Sequence, residues 1–275
     1  MKRYWMRLGG FVGGVCAILI LVQACTTAPV TGRRQLKLVS AGEEKQLGLT
    51  SFEQIKTNTP ISRDAAANEM VLRVGKRIAA VAELPDAQWE FVVFESKEAN
   101  AFCLPGGKVG VYTGLLPIAK DDAGLATVLG HEIGHAVAHH GAERMSQAMM
   151  TQGLGSLAGS AIGSSKYAEY QNAFMGVYGV GAKVGYELPH SRQQESEADH
   201  IGLMYMARAG YDPSAAVAFW ERFSAYNQQQ SGGAGSSWLS GFMRTHPVDT
   251  ERIADLKKLL PEAQAEFGKS RVQGR

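Results

Sequence analysis

Asp121-Asp122-Ala123-Gly124-Leu125-Ala126-Thr127-Val128-Leu129-Gly130-His131-Glu132-Ile133-Gly134-His135-Ala136-Val137 is the segment from which the rest of the chain can be placed. An acidic residue ahead of a periodic apolar run predicts a helix, capped at Asp121 or Asp122 and reaching to about Met150. Inside it stands the pattern H-E-x-x-H. Four residues apart on a helix, His131 and His135 lie about 40° from one another on one face, as two ligands of one zinc ion must. Leu125, Leu129, Ile133, Ala136 and Val137 take the opposite arc, which predicts burial on the side away from the histidines. Gly130, Gly134 and Ala138 form a line of small residues beside the ligand face, where another backbone can approach. The competing reading is a pair of hydrogen-bonded histidines on a core helix.

A catalytic zinc takes three protein ligands and keeps an open position. Ala138 and Gly141 stand where a metzincin needs Gly and His, so that class is excluded. His139 has rotated about 80° from His131 and reads as a surface or supporting residue. The better candidate is Glu195, in Glu195-Ser196-Glu197-Ala198-Asp199. Glu195 and Asp199 share a helix face, so one carboxylate can reach the metal while Asp199 accepts the free ring N–H of a ligand histidine. The alternative is an exposed acidic first turn suited to the helix dipole, which fits Glu197 well.

Outward from this core, Ser40-Ala41-Gly42-Glu43 and Ser191-Arg192-Gln193-Gln194 have capping-box spacing and each opens a helix. Met70, Val74, Ile78 and Val81 predict a helix over about Arg63 to Glu83, stopped by Pro85. Trp89 to Phe94 and Lys108-Val109-Gly110-Val111-Tyr112 read as strands, the second as the edge of a small sheet. An edge strand would take an extended peptide by main-chain pairing; the alternation around Gly110 equally fits an ordinary hairpin. Gly210 and Pro213 end the Ser191 helix and Asp212-Pro213 begins the next. Asn227 to Ser237 reads as a loop and Val248 to Leu260 as the last helix. Gly155, Gly159 and Gly163 suggest close helix packing or a hinge. The expected architecture is one α+β domain over 40–265, mainly helical, with a 266–275 tail.

The chain has 275 residues, 45 % hydrophobic and 20 % charged, which excludes disordered, collagen-like and coiled-coil classes. Met1 to Arg7 is basic and Gly9 to Val22 apolar but too short to span a bilayer comfortably, as in a secretory signal over 1–24. Leu21-Val22-Gln23-Ala24-Cys25 resembles a bacterial lipobox, which implies acylation of Cys25, a membrane anchor and a tether over 25–39; an uncleaved anchor is the alternative. By the same resemblance, Thr26 favours the outer membrane. Beyond the signal, 25 basic residues face 26 acidic ones, so no footprint for nucleic acid remains. Cys103 is then the one free thiol, and the fold must rest on its core or a metal.

His131–His135 followed about sixty residues later by Glu195-Ser196-Glu197-Ala198-Asp199 resembles the H-E-x-x-H … E-x-x-A-D signature of one zinc metallopeptidase family. That family includes the CAAX-prenyl endopeptidases, HtpX and mitochondrial OMA-type proteases. Thr31-Gly32-Arg33-Arg34-Gln35-Leu36, Asn100-Ala101-Phe102 with Pro105-Gly106-Gly107, and Thr245-His246-Pro247 extend the resemblance along the chain. It is most similar to the soluble periplasmic and lipoprotein members (BepA-like, LoiP-like), without room after residue 265 for a tetratricopeptide-repeat domain. The resemblance implies a gluzincin-like zincin fold and one Zn2+ held by His131, His135 and Glu195.

On this reading Glu132, next to His131 on the helix, is the general base that takes the proton of the attacking water. His246 is a candidate for the other side of the metal, as an oxyanion donor, as a fourth ligand that blocks the water, or simply as a helix-entry residue before Pro247. Tyr186 and His190 are weaker candidates for the donor. The expected function is an endopeptidase of the cell envelope acting on unfolded or misassembled polypeptides, with envelope assembly machinery as possible company. A zinc-stapled chaperone is the alternative, although a staple needs no general base.

Overall fold

A computed structural model describes residues 25–28, 31–151, 174, 191–231, 246 and 250–272. Expectations that fall on 1–24, on Gly155, Gly159 and Gly163, on Tyr186 and His190 and on residues 232–237 lie outside the described residues.

Helix starts follow local chemistry. Ser40 and Glu43 form a reciprocal capping box at the start of α1 (Ala41–Asn58). The Asp64 side chain accepts from the backbone N–H of Ala66 and Ala67 at the start of α2 (Ala65–Ala79). Three strands follow: β3 (Glu90–Phe94), β4 (Ala101–Leu104) and β5 (Lys108–Tyr112). A 3-10 turn and the short α3 (Leu116–Ala119) lead to α4 (Asp122–Val137), capped by Asp121 through Gly124 N–H. Then come α5 (His140–Thr151), α6 (Arg192–Arg208), α7 (Ser214–Ser231) and α8 (Thr250–Val272). No described helix is long and apolar enough to cross a membrane.

The helix expected to run from Asp121 to Met150 is two. Ala138 ends α4, and His139 takes φ 55°, the left-handed region that costs an L-residue about 1–2 kcal/mol. The Nδ1 of His139 lies 3.0 Å from Glu44 Oε2 on α1, which holds the bend. The turn carries His140 back toward the histidine face of α4, where a continuous helix would have rotated it away.

The sheet order is β3-β5-β4, with β5 parallel to β3 and antiparallel to β4. The Lys108–Tyr112 strand is therefore central, and the expectation of an edge at Lys108, Val109, Gly110, Val111 and Tyr112 is corrected. The reason lies in its side chains. Val109 and Val111 enter the core shared with α2 and α4, while Tyr112 packs with Phe52, Phe94 and Phe102 on the face toward α1. A Cβ at Gly110 would stand 2.2 Å from the Phe102 ring, so the glycine makes room for a cross-strand aromatic. Both faces of the strand are covered, and main-chain pairing with β3 on one side and β4 on the other makes it the middle strand. Pairing only with β5, β4 is the strand that borders α4, and its residues are 0–2 % exposed.

Three further boundaries differ from expectation. Residues 25–39, read as a tether, hold a hairpin: β1 (Cys25–Thr27) pairs antiparallel with β2 (Arg34–Leu36), Cys25 opposite Leu36. Hydrogen bonds from this segment to α5 and α6 outweigh its lack of periodicity. At the other end α8 continues to Val272 through Pro261, so most of the expected 266–275 tail is helix. Residues 227–231 likewise extend α7, where the loop was expected to begin.

Candidate metal centre

Helices α4 and α6 touch backbone to backbone. A Cβ on Gly130 would lie 2.8 Å from Gly202 O, one on Gly134 2.9 Å from Ala198 O, and one on Gly202 2.8 Å from His131 N. This line of small residues, with Gly202 as an unanticipated member, lets the first turns of α6 reach the histidine face. The Ser191–Gln194 capping box fixes where α6 begins, and hence where Glu195 stands.

Four buried side chains converge: His131, His135, Glu195 and His246, each with a donor atom within 4.8 Å of the others. His131 Nε2 lies 3.0 Å from His135 Nε2 and 3.4 Å from Glu195 Oε2, and His135 Nε2 lies 3.2 Å from Glu195 Oε1. The His246 Nδ1 is 3.0 Å from Glu195 Oε1 and 3.1 Å from His131 Nε2. A tetrahedral ion with donor bonds of about 2.0–2.1 Å has donor–donor edges of about 3.3–3.4 Å, close to these separations.

The tautomers complete the fit. His131 Nδ1 lies 2.9 Å from Asp199 Oδ1, so the N–H belongs on Nδ1 and the lone pair on Nε2. His135 Nδ1 lies 2.7 Å from His140 Nδ1, and His140 Nε2 lies 2.9 Å from Glu197 Oε2. This chain is satisfied when His140 donates to Glu197 and His135 donates to His140, which leaves the His135 lone pair on Nε2. Two lone pairs and a carboxylate then face one another in a buried space, an arrangement that repels unless a cation sits among them. Glu195 Oε2 has a single close cationic neighbour, Arg252 Nη1 at 2.8 Å, out of line for a good hydrogen bond.

The carboxylates draw positive charge into this space, and without a metal a proton on His131 meets that demand. Burial and Arg252 oppose charge on His131, yet Glu195 and Asp199 outweigh them and lift its pKa to about 9. Burial, with His131 beside it, holds His135 well below the usual imidazole range. Glu195 is penalised by burial but kept well below the usual carboxylate range by His246, Arg252 and His131.

Glu132 faces a different environment. It is 5 % exposed, its Oε1 has no hydrogen bond among the described residues, and His246 Nε2 lies 3.5 Å from that oxygen. Burial raises its pKa above the ordinary carboxylate value, which suits a group that must accept and return a proton.

Arg252 of α8 was not anticipated from the sequence. Its guanidinium grips Asp199 through Nε–Oδ2 at 2.7 Å and Nη2–Oδ1 at 2.8 Å, brings Nη1 to 2.8 Å from Glu195 Oε2, and stacks 3.7 Å over the Trp220 ring. One signal was available: Arg252 shares a helix stripe with Leu256, Leu259 and Ala263, so a cation occupies a core-facing position. Glu197, expected in an exposed acidic turn, is instead buried. Thr31 Oγ1 and Arg33 Nε (2.5 Å) donate to it alongside His140, and against the effect of burial His140, Thr31 and Arg33 bring its pKa to about 2.

Fold and site together define a metallopeptidase domain of the H-E-x-x-H kind, with a glutamate of a second helix completing the donor set. A family model for peptidase family M48 matches residues 65–260, and the chain belongs to that family, whose metal is zinc. It is 35 % identical over 239 residues to "Mitochondrial metalloendopeptidase OMA1" of Schizosaccharomyces pombe, covering 86 % of this chain and 66 % of that protein. The Saccharomyces cerevisiae protein of the same name is 31 % identical over 257 residues, covering 88 % and 71 %. "Beta-barrel assembly-enhancing protease" of Escherichia coli is 26 % identical over 234 residues, covering 84 % and 46 %. The chain thus spans between about half and seven tenths of these relatives' length. The shared domain is a metalloendopeptidase domain.

Proposed function

We propose that this protein is a zinc metalloendopeptidase of the bacterial cell envelope that hydrolyses unfolded or misassembled envelope polypeptides. The observation that carries the hydrolytic reading is Glu132, a buried carboxylate with an unoccupied oxygen beside the His131–His135–Glu195 donor set. His131, His135 and Glu195 would hold zinc, which when bound would supply Lewis acidity toward the scissile carbonyl and a water. Glu132 takes the proton of the attacking water and returns it to the leaving amine, so no net charge is left in the site. Asp199 and the His140–Glu197 pair keep the two imidazoles in the tautomers that direct Nε2 inward, and Arg252 balances the carboxylates.

The envelope assignment rests on the signal-like start, the lipobox ending at Cys25 and the likeness to the Escherichia coli protease; acylation there would hold the chain on a membrane, by resemblance the outer one. A substrate strand would pair with the outer edge of β4, the strand that borders α4. Hydrolysis of casein should cease when a chelator strips the metal and return with added zinc. Casein left intact by the zinc-loaded protein, with or without the His246 substitution below, would favour a chaperone-like role.

A specific observation favours a restrained form of this enzyme. His246 Nδ1 stands within 3.0–3.1 Å of two donor atoms while its Nε2 faces Glu132, so the ring fills the space a water needs. His246→Ala is expected to raise casein hydrolysis several-fold; a fall instead would make His246 a donor to the transition state.

A further inference from the structure

We infer that Arg33 and Thr31, on the N-terminal hairpin, position the ligand His135 through Glu197 and His140, so that hairpin docking and metal binding strengthen one another. The inference rests on the metal-site reading above and adds a remote part to it.

The contacts run without a gap from hairpin to ligand. Arg33 forks onto Glu143 of α5, Nη1–Oε1 at 2.8 Å and Nη2–Oε2 at 2.7 Å, and its Nε reaches Glu197 of α6 at 2.5 Å. Thr31 Oγ1 donates to the other Glu197 oxygen. Glu197 meets His140, and His140 meets His135. His140 is fully buried and the two glutamates nearly so.

Each link needs the next. An imidazole that offers Nε2 to a metal carries its proton on Nδ1 and requires an acceptor there. His140 can accept only while its own N–H is taken up by Glu197. Glu197 can stay in that buried place beside Glu143 only while a cation separates them, and Arg33 supplies it with a planar fork that serves two carboxylates at once. Without Arg33 the two carboxylates repel, Glu197 leaves His140, and His135 loses the partner that orients it. By reciprocity, a metal that fixes His135 must favour the docked hairpin by the same free energy.

The test uses the full chain as wild type, Arg33→Ala and Arg33→Lys. Zinc affinity is read by competition with a chromophoric chelator, and ligand geometry by the visible absorption of the cobalt(II)-substituted protein. Hydrogen exchange at residues 31–36 is compared with and without zinc. Arg33→Ala should bind zinc about tenfold more weakly, in line with the usual cost of losing a ligand's support, and shift the cobalt spectrum. Arg33→Lys, charged but unable to fork, should fall between. Zinc should slow exchange at 31–36 in the wild type. Affinity and cobalt spectrum unchanged in Arg33→Ala would overturn the inference, as would wild-type exchange indifferent to zinc, which decides the matter even if Arg33→Ala fails to fold. A wild type that binds no zinc defeats the metal site itself; one that binds zinc with an indifferent hairpin defeats this inference alone.

Discussion

Glu132→Gln should leave the metal in place and remove hydrolysis. The substitution keeps the shape of a side chain whose Oε1 makes no hydrogen bond among the described residues, so neither packing nor the His131, His135 and Glu195 donors need shift. What disappears is a group able to take a proton from water and hand it on. General acid–base catalysis of this kind contributes about 10²–10⁴-fold, and casein cleavage should fall by that much. Zinc content and thermal stability should stay near wild type. Hydrolysis that persists in Glu132→Gln would remove Glu132 from the reaction.

Arg252→Ala carries the largest expected loss of stability. Asp199 and Glu195 are both buried, and Arg252 is the cation that joins them, with its fork on the first and a third nitrogen on the second. Removing one partner from a buried ionic network leaves uncompensated charge and costs about 3–5 kcal/mol. The stacking on Trp220 goes as well. Urea unfolding of the metal-free variant should show a midpoint well below wild type, and added zinc should recover part of the difference, because it restores positive charge beside Glu195. Arg252→Lys, lacking fork and stacking plane, should recover only a fraction. An unchanged midpoint would mean that the guanidinium is not what balances these carboxylates.

What could be read from the sequence was local. The capping residues Ser40, Asp121 and Ser191 satisfy N–H groups three positions away, and the His131–His135 spacing is a property of one helix. Asp199 was legible for the same reason, standing one helical turn after Glu195. What escaped were residues whose meaning depends on distant partners. Glu197 resembles any solvated acidic turn until Thr31 and Arg33 arrive from more than 160 positions away. His140 is revealed only by the left-handed bend at His139, which no breaker residue announces. The Lys108–Tyr112 run, preceded by Pro105-Gly106-Gly107, reads from the sequence as an edge strand, yet it is the middle one. Its central place depends on β3 and β4 pairing on either side, contacts that the local sequence does not announce.

Hydrolysis by this domain requires one cation shared by His131, His135 and Glu195, and the most direct measurement is metal content per chain. Wild type should hold one zinc per polypeptide after extensive dialysis, and Glu195→Ala should hold far less while keeping its helical content. A wild type that retains none, or a Glu195→Ala protein that retains a full equivalent, would contradict that requirement.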